Sequence, residues 1–395
     1  MMPRAPAERL RVSNVARLLT RSTNSLILGI LVALILIFTF TSPNFVFFSV
    51  SNFAAIGANT AEILLLAAGE TYIMIAAGID LSCGAFVVFN SVIFAKVLVA
   101  VSGPSQLTSQ FIYPHLALAL VAAVVAAVLA GLIWGWINGY IAIRWKVPPF
   151  IVTLGTLGMS LGAAQIISGG FNVPDVPPQI QSVGVGKVAG IPWILIISVA
   201  IVAVLWIVLH GTRFGLRTYA IGSNREAARR AGVNIVAHQI ALYSLMGLLT
   251  GVVGVLDVAR FDTASIAAHT TDNLQAIAAA AIGGVSLYGG KGRMSGTVIG
   301  AFIPTVLTTG FIVLGFQPYW QEVAVGAVLV VAVYIDQIRR TAVVTRPSAD
   351  LIGEDYDADM EVAFSEQDGS VSGEQTEPDL RGEALDVPSH RQAQP

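Results

Sequence analysis

The sequence predicts an all-α integral membrane protein of about ten transmembrane helices, with both termini on the cytoplasmic side. Composition comes first: of 395 residues, 55% are hydrophobic and 12% charged, with a mean hydropathy of +0.75, whereas a soluble domain devotes about a quarter of its residues to charge. Long uncharged runs come second. Asn24 to Ser42 carries no charge over 19 residues, close to the roughly 20 that cross a hydrocarbon core of about 30 Å at 1.5 Å per residue. The third observation is where the basic residues fall.

The first 23 residues form an arm with Arg4, Arg9, Arg11, Arg17 and Arg21. The apolar run behind them is too long for a secretory h-region and lacks a small-residue cleavage site, so it reads as an uncleaved first helix. Apolar stretches then recur at 24–42, 50–68, 84–101, 115–143, 149–168, 191–209, 237–256, 274–290, 295–315 and 321–338. Starting inside, an alternating path puts Arg144 and Lys146, the arginines from Arg213 to Arg230, Lys291 and Arg293, and Arg339 and Arg340 all on the cytoplasmic side, as the positive-inside rule requires. Of the outer links, 102–114 and 169–190 carry only Lys187 and Asp175, and 257–273 carries Asp257, Arg260, Asp262 and Asp272. Residues 24–338 are thus the membrane domain, with a basic loop at 211–237. From Thr341 onward 13 acidic and 3 basic residues remain, leaving 11 and 19 before it. The segment 339–395 reads as an acidic cytoplasmic tail with too few apolar groups to offset the entropy of ordering it.

Glu70, Gly78 and Asp80 interrupt the chain between two spans, and this predicts a broken helix. Gly78-Ile79-Asp80-Leu81-Ser82-Cys83-Gly84 returns loosely as Gly284-Val285-Ser286-Leu287-Tyr288-Gly289-Gly290. Glycine-interrupted segments in two halves mark either a transport path or close helix packing. An ionisable group inside a span faces a cavity or a partner. Asp80 can cap a helix, line the path or relay protons, and Glu62 within a span keeps a stand-alone proton-coupled carrier as the alternative function. Asp80, Ser82, Asn138, Thr153, Thr156 and Ser286 are the candidate path residues, although serine and threonine in membrane helices also bond their own backbone. Trp134, Trp136, Trp145 and Trp193 sit near span ends as interfacial anchors.

In the basic loop, Ser223-Asn224-Arg225-Glu226 has capping-box spacing, which starts a short helix at Ser223. Ala227, Ala228 and Ala231 share one side of it, Glu226 reaches Arg230 at i,i+4, and Gly232 is a natural stop. A helix this short needs something to hold it. Two readings stand: the arginines only enforce topology, or the helix docks in a cleft of a cytoplasmic partner, in which case Ala228→Arg blocks the alanine face. No catalytic or nucleotide-binding pattern accompanies it. Gly289-Gly290-Lys291-Gly292 lacks the spaced glycine and hydroxyl of a Walker motif, and Gly184 to Ala189 follows no strand. The five histidines show no ligand spacing and Cys83 is the sole cysteine. The expectation is a subunit with no catalytic residues, no metal and no cofactor.

Over about residues 50–336 the chain resembles the membrane permeases of ribose-type ABC sugar importers. The motifs are Gly78-Ile79-Asp80-Leu81-Ser82, Pro149 to Thr156, Thr212-Arg213-Phe214-Gly215, Tyr219 to Ala228, Ala276 to Ala279 and Ile282 to Gly290. The resemblance implies an internal inverted repeat and a homodimer or pseudo-dimer of permease subunits in a bacterial cytoplasmic membrane. Two cytoplasmic ATPase subunits, an external solute-binding protein and a monosaccharide or small polyol as solute complete the picture, with no nucleic acid. It also implies an ATPase-coupling helix at 223–232, with Gly215, Tyr219, Gly222, Ser223, Asn224, Glu226, Ala227, Ala228 and Gly232 in the coupling segment. Cys83, where a small aliphatic residue is more usual, and the long acidic tail depart from the family pattern.

Overall fold

The computed structural model describes residues 23–344, apart from 109, 111 and 175. The arginine-bearing arm before residue 23 and the acidic tail from 345 onward lie outside the described residues.

Among the described residues, eight helices are long and apolar enough to cross a membrane. They are α1 (Thr23–Thr41), α2 (Val50–Ile75), α3 (Cys83–Ser102), α4 (Leu116–Gly139, continued by a π turn over Tyr140–Arg144), α5 (Pro149–Ser168), α6 (Trp193–Gly211), α9 (Ile235–Phe261) and α11 (Met294–Val313). Between α6 and α9 lie two shorter helices, α7 (Arg213–Ser223) and α8 (Arg225–Arg230). A two-residue hairpin, Lys187–Val188 with Ile191–Pro192, precedes α6.

Two of the ten predicted windows take a different form. The window 274–290 is a half-helix, α10 (Asp272–Ile282), followed by a loop to Arg293. Its apolar composition suits a span, but Gly284, Gly289 and Gly290 all adopt positive φ, a conformation glycine reaches without a Cβ penalty. The amides of Gly284 and Val285 bond back to Ala281 and Ala280, closing the helix in a Schellman turn. The window 321–338 falls inside α12 (Pro318–Val344), whose apolar stretch is Tyr319–Val331.

The central seam is built from small residues. Ala119, Ala123, Ala127, Gly131, Gly135 and Gly139 recur every four positions along α4, and all are buried. This spacing keeps them on one side of the helix. A Cβ on Gly131 would lie 2.1 Å from the Gly247 carbonyl oxygen, and one on Gly247 would lie 2.0 Å from that of Gly131. The backbones of α4 and α9 therefore touch, which is how helices associate where lipid supplies no hydrophobic drive. On the opposite side of α4, Leu118, Val121, Val125, Leu129 and Ile133 are exposed, as a lipid-facing stripe requires.

Helix α2 is buried almost without interruption from Thr60 to Ile75. Hydroxyl pairs tie it to α11, Thr60 to Thr305 and Thr71 to Thr297, both at 2.7 Å. The Tyr72 hydroxyl donates to the Leu205 carbonyl of α6 at 2.6 Å. At its end α2 unwinds: Ala77 takes φ +59° and the Gly78 amide returns to the Ile73 carbonyl. The chain crosses residues 76–82 without helix before α3 begins, as the Glu70, Gly78 and Asp80 interruption predicts.

Candidate functional site

The basic end of the bundle is assembled by three side-chain caps. Thr212 accepts the Phe214 amide to start α7, Asn224 accepts that of Ala227 to start α8, and Asn234 accepts that of Ala237 to start α9. The capping residue of α8 is thus Asn224, not Ser223. Helix α7 runs through Ser223, and only at Asn224 does the backbone extend, to φ −155° and ψ 101°. Glu226 does not reach back to Ser223; it pairs with Arg229 at 2.7 Å and Arg230 at 3.4 Å. The stop falls at Gly232, φ +81°, where the amides of Gly232 and Val233 bond to the Arg229 and Ala228 carbonyls.

The alanine face also divides. Ala228 is 4% exposed and packs with Ile221 and Ile235, while Ala227 and Ala231 face outward. The predicted use of Ala228→Arg to block a partner therefore needs correction: at 228 an arginine would first wreck the chain's own packing. The exposed position that tests a partner is Ala227.

Helix α7 clamps both interrupted elements at once. A Cβ on Gly222 would lie 1.7 Å from the Ile75 carbonyl oxygen and 2.6 Å from the Gly290 amide nitrogen. That Gly290 amide donates to the Ile75 carbonyl at 2.8 Å. The Tyr219 hydroxyl, raised from its ordinary pKa by burial against the opposing pull of Arg293, donates to the Gly292 carbonyl at 2.8 Å. Earlier in α7, Gly215 abuts the Leu209 carbonyl. The end of α2, the loop after α10 and the last turn of α7 are one mechanical junction.

Above this junction four of the six candidate path residues form a single buried network. Asp80 accepts the amide and hydroxyl of Ser82, Asn138 donates to the Ser82 hydroxyl oxygen at 2.8 Å, and Thr156 donates to Asn138 Oδ1 at 2.7 Å. Glu70 accepts the Asp80 amide at 3.1 Å. Those contacts stitch the break to α4 and α5. Thr153 turns its hydroxyl to its own Pro149 carbonyl, and Ser286 lies apart, in the loop after α10, where its amide bonds to the Lys291 carbonyl.

Two cavities open toward opposite ends of the helices. The one at the basic end, about 650 Å³, is walled by Gly78, Lys146, Pro149, Arg225, Arg229 and Tyr243. The other, about 530 Å³, lies at the far ends of α2, α9 and α11 and gathers Asn59, Glu62, Asp257, Arg260, His269 and Asp272. Arg260 Nη1 stands 3.3 Å from Glu62 Oε1, and its Nη2 donates to Asn59 Oδ1. His269 bonds through Nδ1 to Asp272 Oδ2 at 2.6 Å. Its Nε2 is 3.1 Å from Asp257 Oδ1 but poorly aligned for a directed hydrogen bond, so that contact is an ion pair. Burial alone would lower the pKa of His269; Asp272 and Asp257 outweigh it and hold it well above the ordinary value. Apart from Glu62, sequence reasoning singled out none of these as site residues. The signal available was the one outer link with several charges, 257–273.

The family described as branched-chain amino acid transport system / permease component matches residues 52–333. The chain is 38% identical over 275 residues to the ribose import permease protein RbsC of Bacillus subtilis (strain 168), covering 69% of this chain and 80% of that protein. It is 33% identical over 317 residues to the ribose import permease protein RbsC of Escherichia coli (strain K12), covering 78% and 91%. The fructose import permease protein FrcC of Rhizobium meliloti is 33% identical over 306 residues, covering 75% and 81%. No solved structure matches.

Proposed function

The chain belongs to the family of branched-chain amino acid transport system / permease components, and from that premise we propose that it is the translocation subunit of an ATP-driven importer for a monosaccharide or similar small polyol. It is a multi-pass membrane transport permease. In this reading a separate cytoplasmic ATPase drives it, an external binding protein delivers the solute, and a second permease subunit completes the pore.

The observation that carries the reading is the junction at Gly222. A permease without its own energy source needs a part that a partner can push and a linkage from that part to the gate. Helices α7 and α8 expose Ala227, Ala231 and several arginines, a surface suited to a cleft on a partner. The last turn of α7 bears directly on Ile75 and Gly290, the flanks of the two non-helical segments. Backbone that is not helical is tolerated at membrane depth where it lines a path. Displacement of α8 by nucleotide-driven closure of a partner therefore moves both segments together, with no proton relay. The ribose and fructose import permeases to which the chain is similar favour this reading over the proton-coupled alternative.

The test is purification of the tagged chain from native membranes in mild detergent, beside the Ala227→Arg variant. A Walker-motif ATPase accompanying the wild type and lost from the variant is the expected result. A chain that comes alone, and whose uptake in vesicles collapses with the pH gradient, would be a secondary carrier.

A further inference from the structure

We infer that the 530 Å³ cavity at the far ends of α2, α9 and α11 is a holding site for an uncharged, polyhydroxylated solute, and that Glu62 is its principal acceptor; this rests on the importer reading above. The volume is that of a small-molecule site, which runs from ~300 to ~1,000 Å³. The walls supply carboxylates, amides and hydroxyls from well-separated parts of the chain, Glu62, Gln275 and Thr308 among them.

The pairing of the charges decides the class of ligand. Arg260 is engaged by Glu62 and Asn59, and His269 by Asp272 and Asp257. A zwitterion such as a branched-chain amino acid has to bring its carboxylate against three acids in the wall, Glu62, Asp257 and Asp272, or take Arg260 or His269 away from them, and a buried charge that loses its partner is heavily penalised. Hydroxyl groups make no such demand. Each paired carboxylate keeps lone pairs that a hydroxyl can donate to, and the guanidinium and amide N–H groups donate to sugar oxygens in turn. The cavity thereby selects neutral, hydroxyl-rich molecules from within a family whose description names amino acids.

The sole cysteine, Cys83, is buried, so Thr308→Cys, half-buried on the cavity wall, offers one addressable thiol. In membrane vesicles carrying the whole importer, its labelling by a hydrophilic, membrane-impermeant maleimide is timed with ribose, fructose, galactose or isoleucine present. At least one of the sugars should slow labelling about tenfold and isoleucine should not; adding Glu62→Gln or Gln275→Ala should raise the half-protecting sugar concentration about tenfold, the loss of one hydrogen-bonding group. Labelling that no sugar slows, in vesicles that still take up sugar, would overturn the holding site while leaving the importer intact. Protection by isoleucine alone would overturn the ligand class. Vesicles that take up no sugar and carry no ATPase would bring down the importer reading, and the site with it.

Discussion

Replacing Gly222 by alanine tests the junction between α7, the end of α2 and the loop after α10. The new Cβ would fall 1.7 Å from the Ile75 carbonyl oxygen and 2.6 Å from the Gly290 nitrogen. To reach an ordinary contact the two backbones have to part by about 1.5 Å. Because the Cβ lands beside both ends of the 2.8 Å bond from the Gly290 amide to the Ile75 carbonyl, pushing the Ile75 carbonyl aside breaks that bond, at a cost of about 1 kcal/mol. Overpacking of the backbone adds ~1–3 kcal/mol, so the junction loses about 2–4 kcal/mol. The seam between α4 and α9 is untouched, and the variant should still insert and still bind its ATPase. Uptake into vesicles should fall about tenfold or more, with ATP hydrolysis no longer stimulated by loaded binding protein. Gly232→Ala is the control: nothing lies within 4 Å of a Cβ there, and the strain of φ +81° costs only ~1–2 kcal/mol. Uptake by Gly222→Ala within about twofold of wild type, a change worth less than ~0.5 kcal/mol, would refute the linkage.

Three further outcomes are expected. Ala227→Arg should abolish uptake and ATPase copurification at normal membrane levels, whereas Ala228→Arg should also lower the yield of folded protein; equal yields would mean the packing against Ile221 and Ile235 contributes little. Gly247→Ala forces a Cβ to 2.0 Å from the Gly131 carbonyl oxygen and should destabilise the bundle by ~3 kcal/mol or more, while Gly155→Ala, with open space around it, should leave thermal stability unchanged or raise it by up to ~1 kcal/mol. His269→Gln should lower thermal stability by about 3 kcal/mol at mildly acidic pH. Because the folded protein raises the His269 pKa, the wild type's advantage is full below the unfolded value of about 6.5 and is lost as pH rises through the folded value; a pH-independent gap would show that the imidazolium's charge is not the source.

Much of the fold was legible because a bilayer constrains sequence strongly: charge-free runs of nearly 20 residues have few alternatives to spanning helices. The break at Gly78 and Asp80 was visible for the same reason, since Glu70 and Asp80 are expensive in lipid unless something holds them. The half-helix α10 was hidden, because hydropathy counts Gly283, Gly284, Gly289 and Gly290 as neutral and cannot see positive φ. The cap slipped by one residue: Ser223 and Asn224 are both good caps, and nothing local says that α7 continues through the serine. The burial of Ala228 depended on Ile235, which arrives from the next helix. Among site residues, Asp80, Ser82, Asn138 and Thr156 were chosen singly for polarity, and their hydrogen-bonded chain emerged only from packing. The far cavity draws on positions from Asn59 to Gln321, and such a gathering has no local signature beyond Glu62 and the charges of the 257–273 link.

The interruption at 76–82 is held by side chains and not by a helical ladder of its own. Glu70 takes the Asp80 amide, Asn138 reaches the Ser82 hydroxyl and Asn273 donates to the Leu81 carbonyl, so α2, α4 and α10 each grip the same short stretch. Rearranging such a stretch takes a few hydrogen bonds and leaves every long helix where it stands. Its weakness follows from the same economy: a segment without a ladder keeps its shape only while those few bonds are intact.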